Sequence, residues 1–250
     1  MTLQIRSLTK RFDGITAVRD LNLDLMPGKI TALIGPNGAG KTTLFNLITG
    51  FLSPTQGHIH WHGLEITGKP AYTIARKGIS RTFQEVKLFR SLSVMDNLMI
   101  AGRRNRHEGL WEALFRRRKI DKAAKDGRSV ITPRLTALGL AKKIDVPAEE
   151  LSYGQSKIVE ITRAMATEPD MLLLDEPVAG LNPLMIETIQ RLLKQYIAEM
   201  QKTLFIIEHN MPFVFKFADW VVVMDHGEKI AEGPPDAVRN DSRVIEAYLG

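Results

Sequence analysis

The chain contains no cysteine among its 250 residues. Disulfide bonds, thiolate metal sites and cysteine nucleophiles are therefore excluded. Long apolar runs are also missing, because those at residues 171–174 and 220–224 fall far short of the roughly 20 residues that cross a bilayer as a helix. The first residues include several cations and lack the apolar stretch of a signal peptide. We therefore expect a cytosolic protein that does not itself span the membrane.

Excess positive charge is concentrated in one segment. The net charge is +6, and residues 103–119 alone hold seven Lys or Arg against two Glu. This distribution does not indicate a diffuse nucleic-acid-binding surface, and we expect no nucleic-acid partner. Within the segment, Leu110, Trp111, Leu114 and Phe115 fall on one helical face. Two alternatives stay open: an interfacial helix in contact with an anionic membrane surface, or a helix that packs its aromatic side chains internally.

The strongest motif is G-x-x-x-x-G-K-[ST] at residues 35–42, between a strand-like apolar run and a helical stretch. Glycines let the backbone turn its N–H groups around a polyphosphate, and the helix N-terminus adds its positive dipole end. Lys41 would reach the outer phosphates, and the Thr42 hydroxyl would ligate Mg²⁺. We predict a nucleoside-triphosphate site that uses Gly35, Pro36, Asn37, Gly38, Ala39, Gly40, Lys41, Thr42 and Thr43.

Two adjacent carboxylates follow a second apolar run. Asp175 closes this run and Glu176 comes directly after it, where the carboxyl end of a parallel strand would bind a ligand. One carboxylate can hold the Mg²⁺ shell, and the next can position or deprotonate the attacking water. His209 follows the next apolar strand and would contact the terminal phosphate from the same sheet edge. We therefore predict Asp175 as a metal ligand, and Glu176, His209 and Lys41 as catalytic residues.

Two other features near the N-terminus have less specific signals. Phe12 lies between two predicted β segments, 3–8 and 16–25, and an aromatic there either stacks on a base or belongs to the core. Histidines alternate at positions 58, 60 and 62. Because no cysteine or carboxylate cluster accompanies them, they predict a solvated strand face.

The middle of the chain changes character. A predicted strand at 79–84 is followed by helical periodicity up to residue 147, including a helix capped by Ser93. The α/β pattern then resumes with a helix capped by Ser152. We predict one nucleotide-binding domain, 1–250, composed of a catalytic α/β core with a β subdomain at 1–84 and 151–250 and a helical subdomain at 85–150.

Residues 151–155, Leu-Ser-Tyr-Gly-Gln, resemble the signature of ATP-binding-cassette ATPases and stand about twenty residues before the acidic strand, as in that family. The order Phe12, phosphate loop, Gln84, signature, Asp175-Glu176 and His209 resembles the family along essentially the whole chain. This resemblance implies an α/β fold of the P-loop NTPase (RecA-like) type. It further implies a mainly parallel core sheet, an N-terminal antiparallel β region and an inserted α-helical subdomain.

The resemblance also implies roles for individual residues. Phe12 would stack on adenine. Gln84 would sense the γ-phosphate and ligate Mg²⁺, and it would be a further catalytic residue. Ser152 and Gly154, with Gln155 beside them, would face the nucleotide of a partner subunit. Two positions depart from the family pattern, because Tyr153 replaces the usual glycine and Asn182 replaces the usual aspartate.

Softer motifs at residues 81–89, 179–183 and 247–250 resemble the ATPase subunits of importers for branched-chain and other hydrophobic amino acids. This implies an ATPase that drives separate permease subunits at the cytoplasmic face of the membrane. A second ATPase subunit would complete a homodimer or heterodimer, and a solute-binding protein would act indirectly. Related ATPases for urea uptake or lipopolysaccharide export share parts of these motifs. A soluble mechanochemical ATPase is less favoured, because the chain has one cassette and no long heptad run.

Overall fold

The computed structural model describes residues 3–102, 128, 131–133 and 135–249. The chain divides into two units, which we call the core unit (Met1–Gln84 and Pro169–Gly250) and the helical unit (Glu85–Glu168). The basic segment 103–119, with its predicted amphipathic helix, lies outside the described residues.

The core unit contains two sheets. In chain order the strands are β1 (Leu3–Phe12), β2 (Ile15–Leu25), β3 (Ile30–Ile34), β4 (Gln56–Trp61), β5 (Leu64–Glu65), β6 (Ile79–Arg81), β7 (Met171–Asp175), β8 (Thr203–Ile207), β9 (Trp220–Asp225) and β10 (Glu228–Gly233). The labelled helices of both units are α1 (Lys41–Ile48), α2 (Ala71–Arg76), α3 (Val94–Gly102), α4 (Tyr153–Met165), α5 (Pro183–Met200), α6 (Met211–Phe217), α7 (Pro235–Arg239) and α8 (Ser242–Leu249).

The larger sheet has the order β10-β9-β3-β8-β7-β6. Its strands are parallel except for β10, which pairs antiparallel with β9. Every residue of β3, β7 and β8 is buried, as the continuous apolar runs predict for strands covered on both faces. The parallel arrangement brings the ends of β3, β7 and β8 to one edge, where the phosphate loop, Glu176 and His209 follow.

The smaller sheet is antiparallel, with the order β2-β1-β4-β5. Leu3, Ile5 and Leu8 of β1 face a core shared with Phe45 of α1 and Trp61 of β4. Strand β1 is longer than predicted and includes Phe12. The predicted fold class is therefore confirmed, with a parallel core sheet and an N-terminal antiparallel sheet.

Helix α4 begins with a capping box in the helical unit. The Ser152 hydroxyl accepts a hydrogen bond from the Gln155 N–H, and the Gln155 side chain accepts one from the Ser152 N–H. Ser93 caps α3, as the sequence predicts, because its hydroxyl accepts a hydrogen bond from the Asp96 N–H at 3.0 Å. Helix α4 belongs to the helical unit, which extends to Glu168 instead of residue 150. The subdomain limits inferred from sequence stay a prediction.

Among the described residues, no helix combines the length and the apolar character needed to cross a bilayer.

Candidate nucleotide-binding and hydrolysis site

The phosphate loop connects β3 to α1 and contains three glycines with positive φ, and at two of them a side chain would also clash with neighbouring backbone. A Cβ on Gly35 (φ +147°) would lie 2.0 Å from the Met224 carbonyl oxygen, and one on Gly40 (φ +95°) would lie 2.2 Å from the Ala17 carbonyl oxygen. Gly40 also precedes α1 without a side-chain cap, so no side chain takes up the first N–H groups of the helix. The loop therefore offers backbone donors and a helix N-terminus to an anion.

Lys41 is held inside this loop. It is buried, and its Nζ donates hydrogen bonds to the carbonyl oxygens of Gly35 at 2.8 Å and Pro36 at 2.7 Å. Burial lowers the pKa of Lys41, and the carboxylates of Glu176 and Asp175 oppose that shift. The ammonium group is thus positioned by the loop itself, next to the place where the motif predicts phosphates.

The remaining loop residues are arranged for contact with a ligand. Asn37 and Gly38 are exposed, Ala39 is buried beneath them, and Thr42 is exposed in the first turn of α1. Thr43 is half-buried one residue further.

Asp175 and Glu176 have different environments although they are adjacent. Asp175 is buried, and its Oδ2 accepts a hydrogen bond from Nη2 of Arg81 at 3.0 Å. Glu176 is half-buried and has left-handed backbone geometry, with φ +48°. Such a backbone conformation is unfavourable for a non-glycine residue and is often found at functional sites. The structure therefore separates a buried, ion-paired carboxylate from a more accessible one.

Gln84 and His209 converge on Glu176. The Gln84 Nε2 donates to one carboxylate oxygen, Oε2, at 3.5 Å. The His209 Nε2 lies 3.2 Å from the other oxygen, Oε1. Gln84 and His209 are both exposed, so this group of three polar side chains is accessible to solvent. The structure brings together three residues from separate parts of the sequence, and their catalytic roles stay predictions.

Phe12 ends β1 and is 40 % exposed. Its ring is 4.8 Å from the Lys10 ammonium group, a cation–π contact at the surface. The core alternative for Phe12 is therefore wrong, while stacking on adenine stays a prediction.

Of the two residues that depart from the family pattern, Asn182 and Tyr153, the structure explains only Asn182. Asn182 caps α5, because its Oδ1 accepts from the Met185 N–H at 3.0 Å, and Asn and Asp serve about equally well at this position. Tyr153 is exposed in the first turn of α4, beside the buried Gly154. Nothing in the structure explains why tyrosine stands there.

Oxygen donors suited to Mg²⁺ are present in the core unit. The candidates are the Thr42 hydroxyl, the Asp175 carboxylate and the Gln84 amide, a hard-oxygen set of the kind that Mg²⁺ prefers. Among the described residues, no group of three or more His, Cys, Asp or Glu could hold a metal ion. His58 instead forms an exposed pair with Glu65 at 2.7 Å, and His62 lies in a turn and not in a strand.

Sequence reasoning missed two buried charges beside the site, Arg81 and Glu208. Glu208 follows β8, and its Oε1 accepts from the Val178 N–H at 2.9 Å. Its Oε2 accepts from the N–H groups of His209 at 3.1 Å and Asn210 at 3.3 Å. A signal was available for Glu208, because a carboxylate directly after an apolar strand was the same clue that selected Glu176.

Comparison with known families identifies the chain. Residues 18–179 match the family model described as "ABC transporter". This chain belongs to the ABC transporter family. Residues 228–250 match a second family model, described as "Branched-chain amino acid ATP-binding cassette transporter". The family resemblance drawn from the motifs is confirmed, and with it the prediction that this ABC protein is an ATPase.

The similarity to individual ABC proteins extends over nearly the full chain. The high-affinity branched-chain amino acid transport ATP-binding protein LivG of Escherichia coli K12 is 40% identical over 248 residues, covering 99% of this chain and 97% of LivG. The corresponding protein BraF of Pseudomonas aeruginosa is 39% identical with the same coverage. A crystal structure of a nucleotide-free ATP-binding cassette from an ABC transporter superposes with a TM-score of 0.84 at 34% identity, covering 100% of this chain and 99% of the other.

Proposed function

We propose that this ABC ATPase binds ATP with Mg²⁺, hydrolyses it, and powers membrane permeases that import branched-chain or other hydrophobic amino acids. The observation that carries the hydrolytic role is the convergence of Gln84 and His209 on Glu176 at the ends of neighbouring strands. The solute class is supported by the relatives LivG and BraF, whose names assign them to branched-chain amino acid transport.

Binding of the triphosphate begins with groups that are already in place. The backbone N–H groups of the loop and the N-terminus of α1 face an incoming anion, and Lys41 is fixed beside them by two carbonyl oxygens. A phosphate would bring negative charge close to the Lys41 ammonium group, whose charged form burial disfavours when it is alone. Phe12 supplies an exposed ring for the adenine base.

Hydrolysis follows from the accessible carboxylate. A water molecule hydrogen-bonded to Glu176 would be oriented towards the terminal phosphate and would lose a proton to Glu176 as its oxygen bonds to the γ-phosphorus. The bond between the γ-phosphorus and the oxygen that bridges the β- and γ-phosphates would break, so that ADP leaves with that oxygen and inorganic phosphate is released. Gln84 and His209 hold one carboxylate oxygen each, which restricts the rotation of the Glu176 side chain. Positioning of this kind is a large part of catalysis in phosphoryl transfer.

Mg²⁺ fits the donor chemistry of the site. Thr42, Asp175 and Gln84 would hold it directly or through water, and the remaining positions suit phosphate oxygens and water. When bound, the ion neutralises charge that develops on the phosphates.

Two partner surfaces belong to the proposal. The chain carries both a phosphate loop and a signature, and a second ATPase subunit would complete each site with its own signature. Permeases would contact the loop after Gln84, where Phe89 is 52 % exposed while its backbone is fixed by Asn97 through two hydrogen bonds of 2.9 and 3.0 Å. We place the assembled ATPase at the cytoplasmic face of the membrane. The anionic-surface role of segment 103–119 stays a hypothesis.

Glu176→Gln tests the hydrolytic role. We expect the variant to keep ATP affinity and to lose roughly 10²–10⁴-fold in turnover, the usual span for removal of a general base. Glu187→Gln, the same change at an exposed residue of α5, is the matched control and should hydrolyse ATP like the parent. Hydrolysis by Glu176→Gln within a few-fold of the parent would show that Glu176 has a different role.

The solute class needs a separate measurement. In vesicles containing the chain, its permeases and its binding protein, we expect ATP-dependent uptake of labelled leucine, isoleucine or valine. Uptake of urea without these amino acids would support the urea transporter instead and would contradict the proposed substrate class.

A further inference from the structure

Arg81 is a buried cation that the proposed mechanism does not use. It is the last residue of β6, where it pairs in register with Leu173 of β7, and its side chain is 5 % exposed. Three residues later the chain reaches Gln84. Arg81 therefore ends the strand that leads to Gln84.

The guanidinium group of Arg81 joins three elements. Its Nη2 donates to Oδ2 of Asp175 at 3.0 Å, which connects β6 to the end of β7. Its Nη1 donates to Oδ1 of Asn46 at 2.6 Å and lies 3.3 Å from the Thr49 hydroxyl, both belonging to α1 and its C-terminal cap. The ring of Phe45, also on α1, lies 5.4 Å from the guanidinium carbon.

Stability alone does not account for this arrangement. Burial lowers the pKa of Arg81 and the Asp175 carboxylate opposes that shift, but an arginine stays charged at any ordinary pH. Its Nε has no hydrogen-bond partner in the described part of the chain. A buried ion pair with an unsatisfied donor contributes little net stability compared with an apolar replacement. The planar guanidinium group of Arg81 does provide a fixed geometry in which Asn46 and Asp175 both accept hydrogen bonds from it.

The geometry of α1 shows which residues are fixed in this way. Asn46 stands four positions after Thr42, so the two side chains lie on the same face of the helix. Arg81 holds Asn46 on that face and holds Asp175 on the neighbouring strand. Helix α1, which carries Thr42, and the Asp175 carboxylate are thereby connected through the Arg81 side chain.

We propose that Arg81 is a positioning residue that aligns Asp175 with the Thr42 face of α1 and so prepares the site for the Mg²⁺ of Mg·ATP. This inference rests on the proposed function, because it requires that nucleotide binds with Mg²⁺ at these residues. It assigns no contact between Arg81 and the nucleotide. The property that Arg81 controls is therefore the gain in ATP affinity that Mg²⁺ provides, and not ATP affinity as such.

Arg81→Lys separates geometry from charge. Lysine keeps a cation next to Asp175, but its single ammonium group does not reproduce the planar fork that reaches Asn46 and Asp175 together. The measurement is ATP affinity by calorimetry, with Mg²⁺ and with EDTA, in a Glu176→Gln background that suppresses hydrolysis. We expect Arg81→Lys to leave the ATP affinity in EDTA unchanged and to reduce the ratio of the affinity with Mg²⁺ to the affinity in EDTA about tenfold. Tenfold is the lower end of the range by which metal affinity falls when a residue that orients a metal ligand is lost. Arg76→Lys makes the same change at an exposed position of α2 and should leave the ratio unchanged.

A second variant guards against a folding defect. Asn46→Ala removes the link to α1 and leaves the Arg81–Asp175 pair, so we expect a smaller reduction of the same ratio. The reductions of Arg81→Lys and Asn46→Ala should not add in the double variant, because both break one linkage. If Arg81→Lys does not fold, Asn46→Ala alone decides.

The possible outcomes distinguish a failure of the Arg81 positioning role from a failure of the proposed Mg·ATP site. A folded Arg81→Lys variant, or Asn46→Ala, with the parent's ratio of affinities would overturn the positioning role, even with reduced stability. If Mg²⁺ gives no gain in affinity to the Glu176→Gln parent itself, the proposed Mg·ATP site is wrong, and the Arg81 proposal is lost with it.

Discussion

Replacing Glu208 with glutamine tests whether this buried carboxylate fixes the positions of His209 and of the loop that follows Glu176. The Glu208 carboxylate accepts the Val178 N–H with one oxygen and the N–H groups of His209 and Asn210 with the other. A glutamine has one amide oxygen and can satisfy only one of these two sides. Its NH₂ group then faces a backbone donor on the other side.

The expected effect follows from this count of acceptors. A buried donor left without a partner costs about 1–3 kcal/mol, so we expect Glu208→Gln to lower the free energy of unfolding by roughly that amount. Val178 and His209 flank Glu176 from two loops, and small displacements of catalytic groups can reduce rates by up to about 10²-fold. We therefore expect turnover to fall about 10- to 100-fold, while the KM for ATP stays near the parent value because Lys41 and the phosphate loop are unchanged.

The pH dependence of stability provides a second readout. Burial raises the pKa of Glu208 above its ordinary value of 4.5, and the three backbone donors oppose part of that shift. A raised carboxyl pKa means that the folded state holds the proton more tightly, so the contribution to stability is largest at low pH. That contribution is lost as pH rises above 4.5 through the folded pKa. Because glutamine does not titrate, the stability difference between parent and variant should narrow as pH rises through this window.

The assays are urea unfolding across pH and steady-state ATP hydrolysis, with Glu187→Gln as the exposed control. Two results would refute the reasoning. Lower stability with unchanged turnover would mean that Glu208 supports the fold without positioning the site. A parallel loss of ATP affinity would mean that the damage is general and not confined to the loops around Glu176.

Two further predictions concern the partners. The Glu176→Gln variant should shift from monomer to dimer in light scattering when Mg·ATP is added. Adding Ser152→Arg should abolish the shift, because the signature would face the partner's nucleotide. A Glu176→Gln variant that stays monomeric with Mg·ATP at high protein concentration would exclude the homodimer. Phe89→Asp should uncouple transport while nucleotide binding is kept, since Phe89 is exposed on a loop that Asn97 and Glu160 fix from within the helical unit. Unchanged uptake by a reconstituted Phe89→Asp transporter would remove the permease contact from this loop.

The elements with strong sequence patterns were predicted almost to the residue. The strand-like run before the phosphate loop is β3, and the apolar run that Asp175 closes is β7. Continuous apolar runs identify strands buried on both faces. The phosphate loop was equally clear, because its chemistry requires glycines at fixed spacing.

Two strands differ from their predicted limits for local reasons. The alternation in β1 is readable only to Leu8, because register shifts along its pairing with β2 break the two-residue period before Phe12. Strand β6 ends at Arg81 and not at Gln84. Beyond Arg81 the Asp175 N–H donates its hydrogen bond to the Thr82 hydroxyl, at 3.3 Å, and not to a backbone carbonyl of β6. Neither a bulge nor a side chain that replaces a ladder bond has a distinctive signal in one sequence.

Long-range contacts were not predictable in the same way. Arg81 meets Asp175 across 94 positions of sequence, and Glu208 meets Val178 across 30. Each contact depends on strand order and register, which a single sequence does not specify. The convergence of Gln84 and His209 on Glu176 has the same origin, although each residue had been selected separately.

The three carboxylates at the strand ends show why these contacts matter for the site. Asp175, Glu176 and Glu208 lie at one sheet edge, where burial raises the pKa of Glu208 and the Glu176 carboxylate adds to that shift. Asp175 is paired with the Arg81 guanidinium, and Glu208 is surrounded by backbone donors. Glu176 is the one of the three that is not buried, and exposed Gln84 and His209 hold it. The buried partners therefore hold Asp175 and Glu208 in fixed positions, and Glu176 is the carboxylate that a water molecule and a phosphate can reach.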